Sequence, residues 1–407
     1  MHNILKVIKE FKPIYKLKEE LISFLQQREN ISERNLSFIV SPYRISPLGA
    51  HIDHQGGPVL GMTIEAYTVL AFVPAVAPKV RLHSMNYPGV VEFNLQQVGS
   101  PDMNDWGRYA RGATKALGDI KTLSHGFLGA VNGTLPSSGL SSSASVGLSY
   151  LYALARVNEL DISTNDFIRL DRSLENEYLG LQNGILDQAT ILNGRKDHLL
   201  YINTLSAEVK SVERPNNSDD FKIIIVHSGF SRELTSSGFN TRVEECKMVS
   251  RLLGQNGGIE SANALSDIPE EVYKQYRAAL PKNLMKRADH YFSEVRCVED
   301  AFIYWRHGNW VEFGRLMKES CNSSIENYES GSPALIELQR IFSETNGVYG
   351  SRFCGGGYGG CVMAFVKPEF SDEDSSKLLE NYLSSLPEAE GRAAVYRVKS
   401  DEGIRFL

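Results

Sequence analysis

The sequence predicts an α+β protein of two domains, and three observations carry that prediction. The chain has 407 residues, more than one ordinary core accommodates. Its first half alternates strand-like apolar runs with segments of helical period, and its second half is more helical. Between them lies a polar stretch, residues 209–219, carrying Pro215-Asn216-Asn217. The expected division is residues 1–210 and 211–407.

Strand-like runs fall at residues 36–40, 67–73, 90–93 and 199–202, and helical patterns at 17–27, 106–117, 143–157 and 167–179. A strand at 221–226 opens the second half, followed by helices at 241–253, 281–307 and 311–319. A Gly-rich turn, an apolar strand at 362–366 and a helix at 373–386 close it. There is no internal repeat and no long low-complexity tract.

Hydrophobic content of 42% and charged content of 23% are those of a soluble globular protein. A formal net charge of -6 offers no basic footprint, so no nucleic-acid partner is expected. No run approaches the roughly 20 apolar residues that span a bilayer, so no membrane partner is expected either. The N-terminal residues 1–18 alternate Lys with apolar residues and lack the features of a signal peptide. Five widely spaced cysteines, none in CxxC spacing, indicate neither a zinc site nor a disulfide framework. A cytoplasmic, reduced protein is the expectation.

Four segments carry chemistry. The first runs from Pro42 to Gly57 and sets Tyr43, Arg44, Ala50, His51, Asp53 and His54 in a loop punctuated by Pro and Gly. Such loops concentrate binding groups, and this set suits a small, hydroxyl-rich, anionic ligand. The second, Pro136-Ser137-Ser138-Gly139-Leu140-Ser141-Ser142-Ser143-Ala144, runs into an Ala/Leu-rich helix. Small residues admit a ligand close to the backbone, and the unpaired N–H groups of a helix start attract phosphate. A Ser cap alone would explain one serine but not the whole run. Ser142 or Ser143 can add a ligand to a Mg²⁺ that bridges phosphate oxygens. No GxxxxGK pattern occurs, which excludes a P-loop NTPase.

In the third segment, Glu175 precedes Gly180 and Asp187 follows among Gly and apolar residues. Phosphoryl transfer needs a metal carboxylate and a group that positions or deprotonates the acceptor hydroxyl, roles open to Glu175 and Asp187. An arginine beside Asp187 would stabilise charge on it and on the transferred group, and Arg44 is the candidate. For Glu175 or Glu177 taken alone, a solvated helix face is the commoner explanation, whereas Asp187 among Gly and apolar residues needs a reason. The fourth segment, from Arg352 to Cys361, formally contains GxGxxG, but a strand-like run follows it where a dinucleotide fingerprint needs a helix. A glycine wall beside a ligand and a tight inter-strand turn both remain open.

Together these segments resemble the GHMP kinases, and most closely their galactokinase branch, across nearly the whole chain. Residues 43–57 are similar to the signature GRVNLIGEHTDYNGG, residues 139–144 to the GLSSSA phosphate motif, and residues 184–188 to GIMDQ. Residues 352–361 resemble the Gly-rich third motif, and Trp106 to Tyr109 the WxxY helix of the adenine pocket. The resemblance implies an N-terminal domain like domain 2 of ribosomal protein S5, a ferredoxin-like C-terminal domain, and an active site in the cleft. It implies ATP and Mg²⁺, with Asp187 and Arg44 catalytic and Ser142 and Glu175 on the metal. Nucleotide contacts would come from Ser84, Trp106, Tyr109, Pro136, Ser138, Gly139, Leu140, Ser141, Ser142, Ser143 and Ala144. Sugar contacts would come from Tyr43, Ala50, His51, Asp53, His54, Asn183, Phe239 and Gly357. A monomer or weak homodimer is expected.

The departures bear on the substrate. Galactokinases carry Glu at the position of Ala50, where it accepts from the C6 hydroxyl. Two carboxylates close together in a dry site repel by about several kcal/mol, so alanine favours a hexuronic acid. His54 replaces the usual Tyr, Gln182-Asn183 the usual Pro-Cys, and Phe239 a sugar-contacting Tyr. The PYRxxPLGAHIDHQGG version followed by GLxNGILDQ is similar to the galacturonate-phosphorylating branch known from plants. The implied reaction gives D-galacturonate 1-phosphate, with His54, Tyr43 or Arg242 on the C6 carboxylate. Galactose, glucuronate and L-arabinose are the alternative sugars, and a non-catalytic sugar and ATP sensor is the alternative of another class.

Overall fold

The computed structural model describes residues 8–136, 138–216, 220–230 and 238–407. In chain order the first half contributes β1 (Ile8–Lys9), α1 (Ile14–Glu29), β2 (Ser37–Ile45), β3 (Val59–Pro74), β4 (Lys79–Ser84), β5 (Val90–Asn94) and α2 (Arg108–Gly118). It continues with β6 (Phe127–Gly133), α3 (Ser142–Val157), α4 (Thr164–Ser173), α5 (Leu186–Asn193), β7 (His198–Asn203) and β8 (Glu208–Glu213). The second half contributes β9 (Lys222–His227), α6 (Phe239–Gly257), α7 (Glu270–Tyr276), α8 (Lys282–Arg306), α9 (Trp310–Glu326) and α10 (Pro333–Glu344). It ends with β10 (Val348–Phe353), β11 (Cys361–Val366), α11 (Asp372–Ser385), β12 (Ala394–Val398) and β13 (Arg405–Phe406).

Among the described residues the strands form two sheets, as an α+β chain of two domains requires. One has the order β13-β2-β3-β6-β4-β5, with β7 added to β3 and β8 to β7; the other is β1-β12-β9-β11-β10. Each end of the chain closes the opposite sheet. β1 pairs with β12 in parallel, and β13 pairs with β2 antiparallel. Residue 210, where the sequence suggested a boundary, falls inside β8, which pairs with β7 of the first sheet.

Period-two alternation decides which side chains face which layer. From β2, Phe38 and Val40 pack on Leu17, Leu21 and Leu25 of α1, whereas Ile39 packs with Leu148 and Leu151 of α3. Both faces of the strand are covered, which is why residues 36–40 read as an unbroken apolar run. The second sheet repeats the arrangement. Ile223, Ile225, Met363 and Phe365 face Trp305, Trp310 and Phe313, while Ile224, Val226, Val362 and Ala364 face Leu335, Phe342 and Tyr382.

Two local irregularities aim the functional groups. The loop expected from residue 42 onward begins later, because β2 continues through Tyr43 and Arg44 to Ile45. Pro42 has no N–H for the ladder, and the β2–β3 register shifts there, from Pro42 opposite Tyr67 to Tyr43 opposite Ile64. Arg44 is thus held on a buried strand beyond a bulge. The helix expected over 167–179 instead ends at Ser173 and widens into a π turn, Leu174–Tyr178. That turn buries Glu175 and leaves Glu177 exposed.

The strands β4, β6, β8, β10 and β12 were not legible as apolar runs. In β6, Gly129 breaks the pattern because a Cβ there would come within 2.5 Å of the Ala71 carbonyl oxygen across the ladder. The C-terminal tail matters for similar reasons of contact. Besides β13, it places the Asp401 carboxylate 2.8 Å from the Tyr67 hydroxyl and the Asp401 carbonyl within bonding distance of Thr63. Deleting residues 401–407 is expected to lower Tm by about 4–8 °C, for a loss of ~2 kcal/mol. Calorimetry of the truncated chain checks this.

Candidate active site

A cavity of about 350 Å³ opens between the two halves. Gly139, Ser141, Ser142 and Ser143 form one side of it and residues 355–359 another. Ser84, Trp106, Tyr109 and Pro136 line it as well, with Arg44 and Asp187 at its edge. The nucleotide contacts expected at those positions therefore share one pocket. Ser138, Leu140 and Ala144 do not line it. Ser138 is buried with its hydroxyl on the Leu135 carbonyl, and Leu140 and Ala144 are core residues. They shape the loop from behind.

The loop is set by its backbone. Gly139 has φ +76° and Ser141 φ +59°, and α3 starts at Ser142, so the positive end of the helix lies at the cavity that Ser142 and Ser143 line. The Gly-rich segment is both things the sequence left open. It joins β10 to β11, and it also forms a cavity wall. A Cβ on Gly355 would sit 2.8 Å from the Gly139 carbonyl oxygen, so glycine lets the two loops pack backbone to backbone.

Arg44 stands at the junction of these segments. Its Nε and Nη2 each lie 2.7 Å from Asp187 Oδ1. Its Nη1 donates to the Cys354 carbonyl at 2.6 Å and the Gly139 carbonyl at 3.2 Å. Asp187 Oδ2 accepts from the Ser141 hydroxyl at 2.5 Å. Ser141 was expected only as a phosphate contact, and its bond to the aspartate is a role that nothing local in the sequence signals.

Behind the pocket, Glu175 is 1% exposed. Its Oε2 accepts from the amides of Asn183 and Gln188, the latter at 3.0 Å, while Oε1 is buried with no partner. Burial first, then the nearby Asp187, raise its pKa to about 7, with Asn183, Ser143 and Gln188 offsetting the effect in part. A buried carboxylate oxygen without a partner among the described residues fits a hard divalent cation. Among the described residues no cluster of three or more His, Cys, Asp or Glu could hold a metal. A cation here would therefore draw its remaining ligands from water and the phosphates of a nucleotide. Asn183 was expected on the sugar, but its two polar atoms are already engaged, Nδ2 on Glu175 and Oδ1 with Asn176 at 2.7 Å. It positions Glu175 instead.

The sugar-side residues gather around the turn after Leu48. Asp53 accepts from the N–H of His54 at 2.9 Å and of Leu186 at 3.3 Å, which sets it beside Asp187. Burial and Asp187 raise its pKa to about 6. His51, with φ +61°, stacks on Tyr328 at 4.1 Å, and its Nε2 meets the Ser330 hydroxyl at 3.1 Å. His54 lies 3.0 Å from the Tyr328 hydroxyl and 3.0 Å from the Gln55 amide. Burial, then His290, push the pKa of His54 down to about 3 and that of His51 well below the usual range. Both shifts disfavour the charged imidazolium. Phe239 lies within 6.5 Å of both rings, and Gly357 faces the cavity. Tyr43 lines the same cavity, beside Thr68 and Gly133.

Comparison with known proteins shows the family to which this fold belongs. The model of the GHMP kinases N terminal domain matches residues 108–195, and that of the GHMP kinases C terminal domain matches 300–386. The chain belongs to the GHMP kinases, whose phosphoryl donor is ATP. It is 41% identical to a galacturonokinase of Arabidopsis thaliana over 371 residues, covering 86% of this chain and 88% of that one. It is 32% identical to a galactokinase of Clostridium perfringens over 375 residues, covering 91% and 95%. The Lactococcus lactis galactokinase complexed with galactose superposes with a TM-score of 0.87 at 27% identity, over 96% of this chain and 99% of that one. A mevalonate kinase of Methanococcus jannaschii shares the fold, with a TM-score of 0.62 at 17% identity, over 89% and 98%.

Two outcomes follow from this geometry. Arg44→Lys keeps the charge but cannot bind Asp187 and two carbonyls at once, and should cut kcat by ~10²-fold or more. Ser141→Ala should cut it by about tenfold, at nearly unchanged ATP affinity. Steady-state kinetics with both variants measure these. Glu175→Gln tests the buried charge. Native Glu175 holds its proton more tightly than the unfolded chain does, so wild-type stability falls as pH rises from about 4.5 to about 7. Glutamine does not titrate. In metal-free buffer the variant should gain up to ~3 kcal/mol over wild type at pH 8 and little at pH 4.5, as read by urea denaturation at both.

Proposed function

We propose that this chain transfers the γ-phosphoryl group of ATP to the anomeric hydroxyl of a hexuronic acid, D-galacturonate. The observation that carries this reading is the methyl group of Ala50, 7% exposed, in the turn that also presents His51 and Asp53. A carboxylate at that position would repel a substrate acid in a site with little water. The 41% identity to a galacturonokinase supports the same substrate. Of the three groups suggested for the substrate carboxylate, Arg242 is the one that carries a permanent charge. It sits one turn into α6 from Phe239, with Nη1 2.6 Å from Glu245.

The residues of this chain can perform the transfer as follows. The phosphate loop and the start of α3 receive the triphosphate, and Gly355 to Gly359 close over it. Asp53, His51 and Gly357 hold the sugar so that its anomeric hydroxyl meets Asp187. Asp187 orients that hydroxyl and takes its proton, while Arg44 stabilises charge on the moving phosphoryl group. Glu175 and Ser142 would hold Mg²⁺, which supplies neutralisation of phosphate charge. The five cysteines are all free, as suits a reducing cytoplasm.

A coupled ADP-release assay with D-galacturonate, D-glucuronate, D-galactose and L-arabinose tests the proposal. D-Galacturonate should give the highest kcat/KM, and another sugar in first place would overturn the uronate assignment. Binding of ATP and sugar without ADP release would indicate a sensor. Ala50→Glu should cut uronate kcat/KM by ~10²-fold or more, the size expected from two facing carboxylates.

A further inference from the structure

The turn that presents Ala50 and His51 is fastened by a helix from the other half of the chain. Glu294 of α8 is fully buried, and its Oε1 accepts from the N–H of Gly49 at 2.7 Å and of Ala50 at 3.1 Å. Two successive N–H groups converging on one oxygen form an anion nest. The same oxygen accepts from the Ser320 hydroxyl of α9 at 2.6 Å, and Arg352 stands 3.5 Å away. One turn earlier on α8, His290 donates from Nε2 to the Ala50 carbonyl at 2.8 Å, with its Nδ1 3.0 Å from the Ser323 hydroxyl. A carbonyl can only accept, so Nε2 carries the proton.

Every polar backbone atom of Ala50 is therefore held by α8. The flanking residues show why a clamp is needed. Gly49 has φ +95°, and a Cβ there would come 2.6 Å from Val59 Cα. His51 takes φ +61°, a conformation that side-chain-bearing residues adopt only under constraint. None of the α8 groups reaches the cavity that holds Arg44 and Asp187.

We propose that Glu294 and His290 are positioning residues for the sugar, acting through the backbone of Gly49, Ala50 and His51. This rests on the reading of that turn as the sugar wall, but on no particular sugar. The clamp sets the distance from His51 and Asp53 to Asp187, so sugar affinity depends on α8 although α8 does not touch the sugar. Nucleotide affinity does not depend on it.

The test uses the full chain and the best substrate of the wild-type panel. His290→Ala removes the bond to the Ala50 carbonyl, and Glu294→Gln weakens the nest. Each is expected to raise sugar KM by ~10-fold or more while ATP KM changes less than about twofold. His290→Gln, which restores an N–H donor, should recover most of the sugar affinity. A clamp that served folding alone would lower Tm and active fraction with both KM values unchanged, and that result overturns the proposal. So does a rise of equal size in both KM values. Should Glu294→Gln fail to fold, the His290 pair decides alone. Wild type that turns over no sugar refutes the kinase reading, whereas turnover with unaltered sugar KM in the variants refutes only the clamp.

Discussion

The site is organised around one planar cation. Arg44 spends Nε and Nη2 on Asp187 and Nη1 on the carbonyls of Gly139 and Cys354. A guanidinium presents its donors in a fixed fork, so these bonds fix angles as well as distances. Four segments spread over 310 residues of chain are thereby brought to one point: the end of β2, the loop at Gly139, the start of α5 and the glycine wall. The pair is nearly buried, and losing either partner would strand a charge in a dry site.

Around that point the protein tolerates repulsion. Asp171 and Glu175 are buried and Asp53 half-buried near Asp187, and desolvation pushes each of their pKa values up. Among the described residues, both carboxyl oxygens of Asp171 and one of Glu175 have no hydrogen-bond partner. Such an arrangement costs folding stability and is found where a site must meet charge brought by its ligands. The imidazoles of His51 and His54 fit the same pattern, since desolvation pushes both of their pKa values down.

The phosphate loop and glycine wall depend on backbone contact. A Cβ on Gly355 or Gly360 would press into the backbone of Ser138 and Gly139, so a side chain on either would push the two loops apart. Shape here comes from the absence of atoms, and that is why the motif was legible as glycines while its purpose was not. A similar limit applied to Glu175 and Glu177. Two residues apart on one apparent helix, they look alike until the π turn sends one inward.

The sequence by itself determined the two-domain α+β class, most long helices and strands, the family, and the identities of Arg44, Asp187, Glu175, His51 and Asp53. Those follow from local composition, periodicity and motif spacing, which are properties of neighbours along the chain. Only the tertiary structure decided that Arg44 sits on a strand past a bulge, that Ser141 serves Asp187, and that Asn183 serves Glu175. It also decided that Tyr43 lines the cavity with Arg44 and Asp187 and that α8 fastens the turn at Ala50. Most of these depend on contacts between residues far apart in sequence, as from Arg44 to Cys354 or from Gly49 to Glu294. The others depend on local backbone irregularities that periodicity does not record. Hydrogen-bond partners are chosen by packing, and packing exists only once the two halves have met.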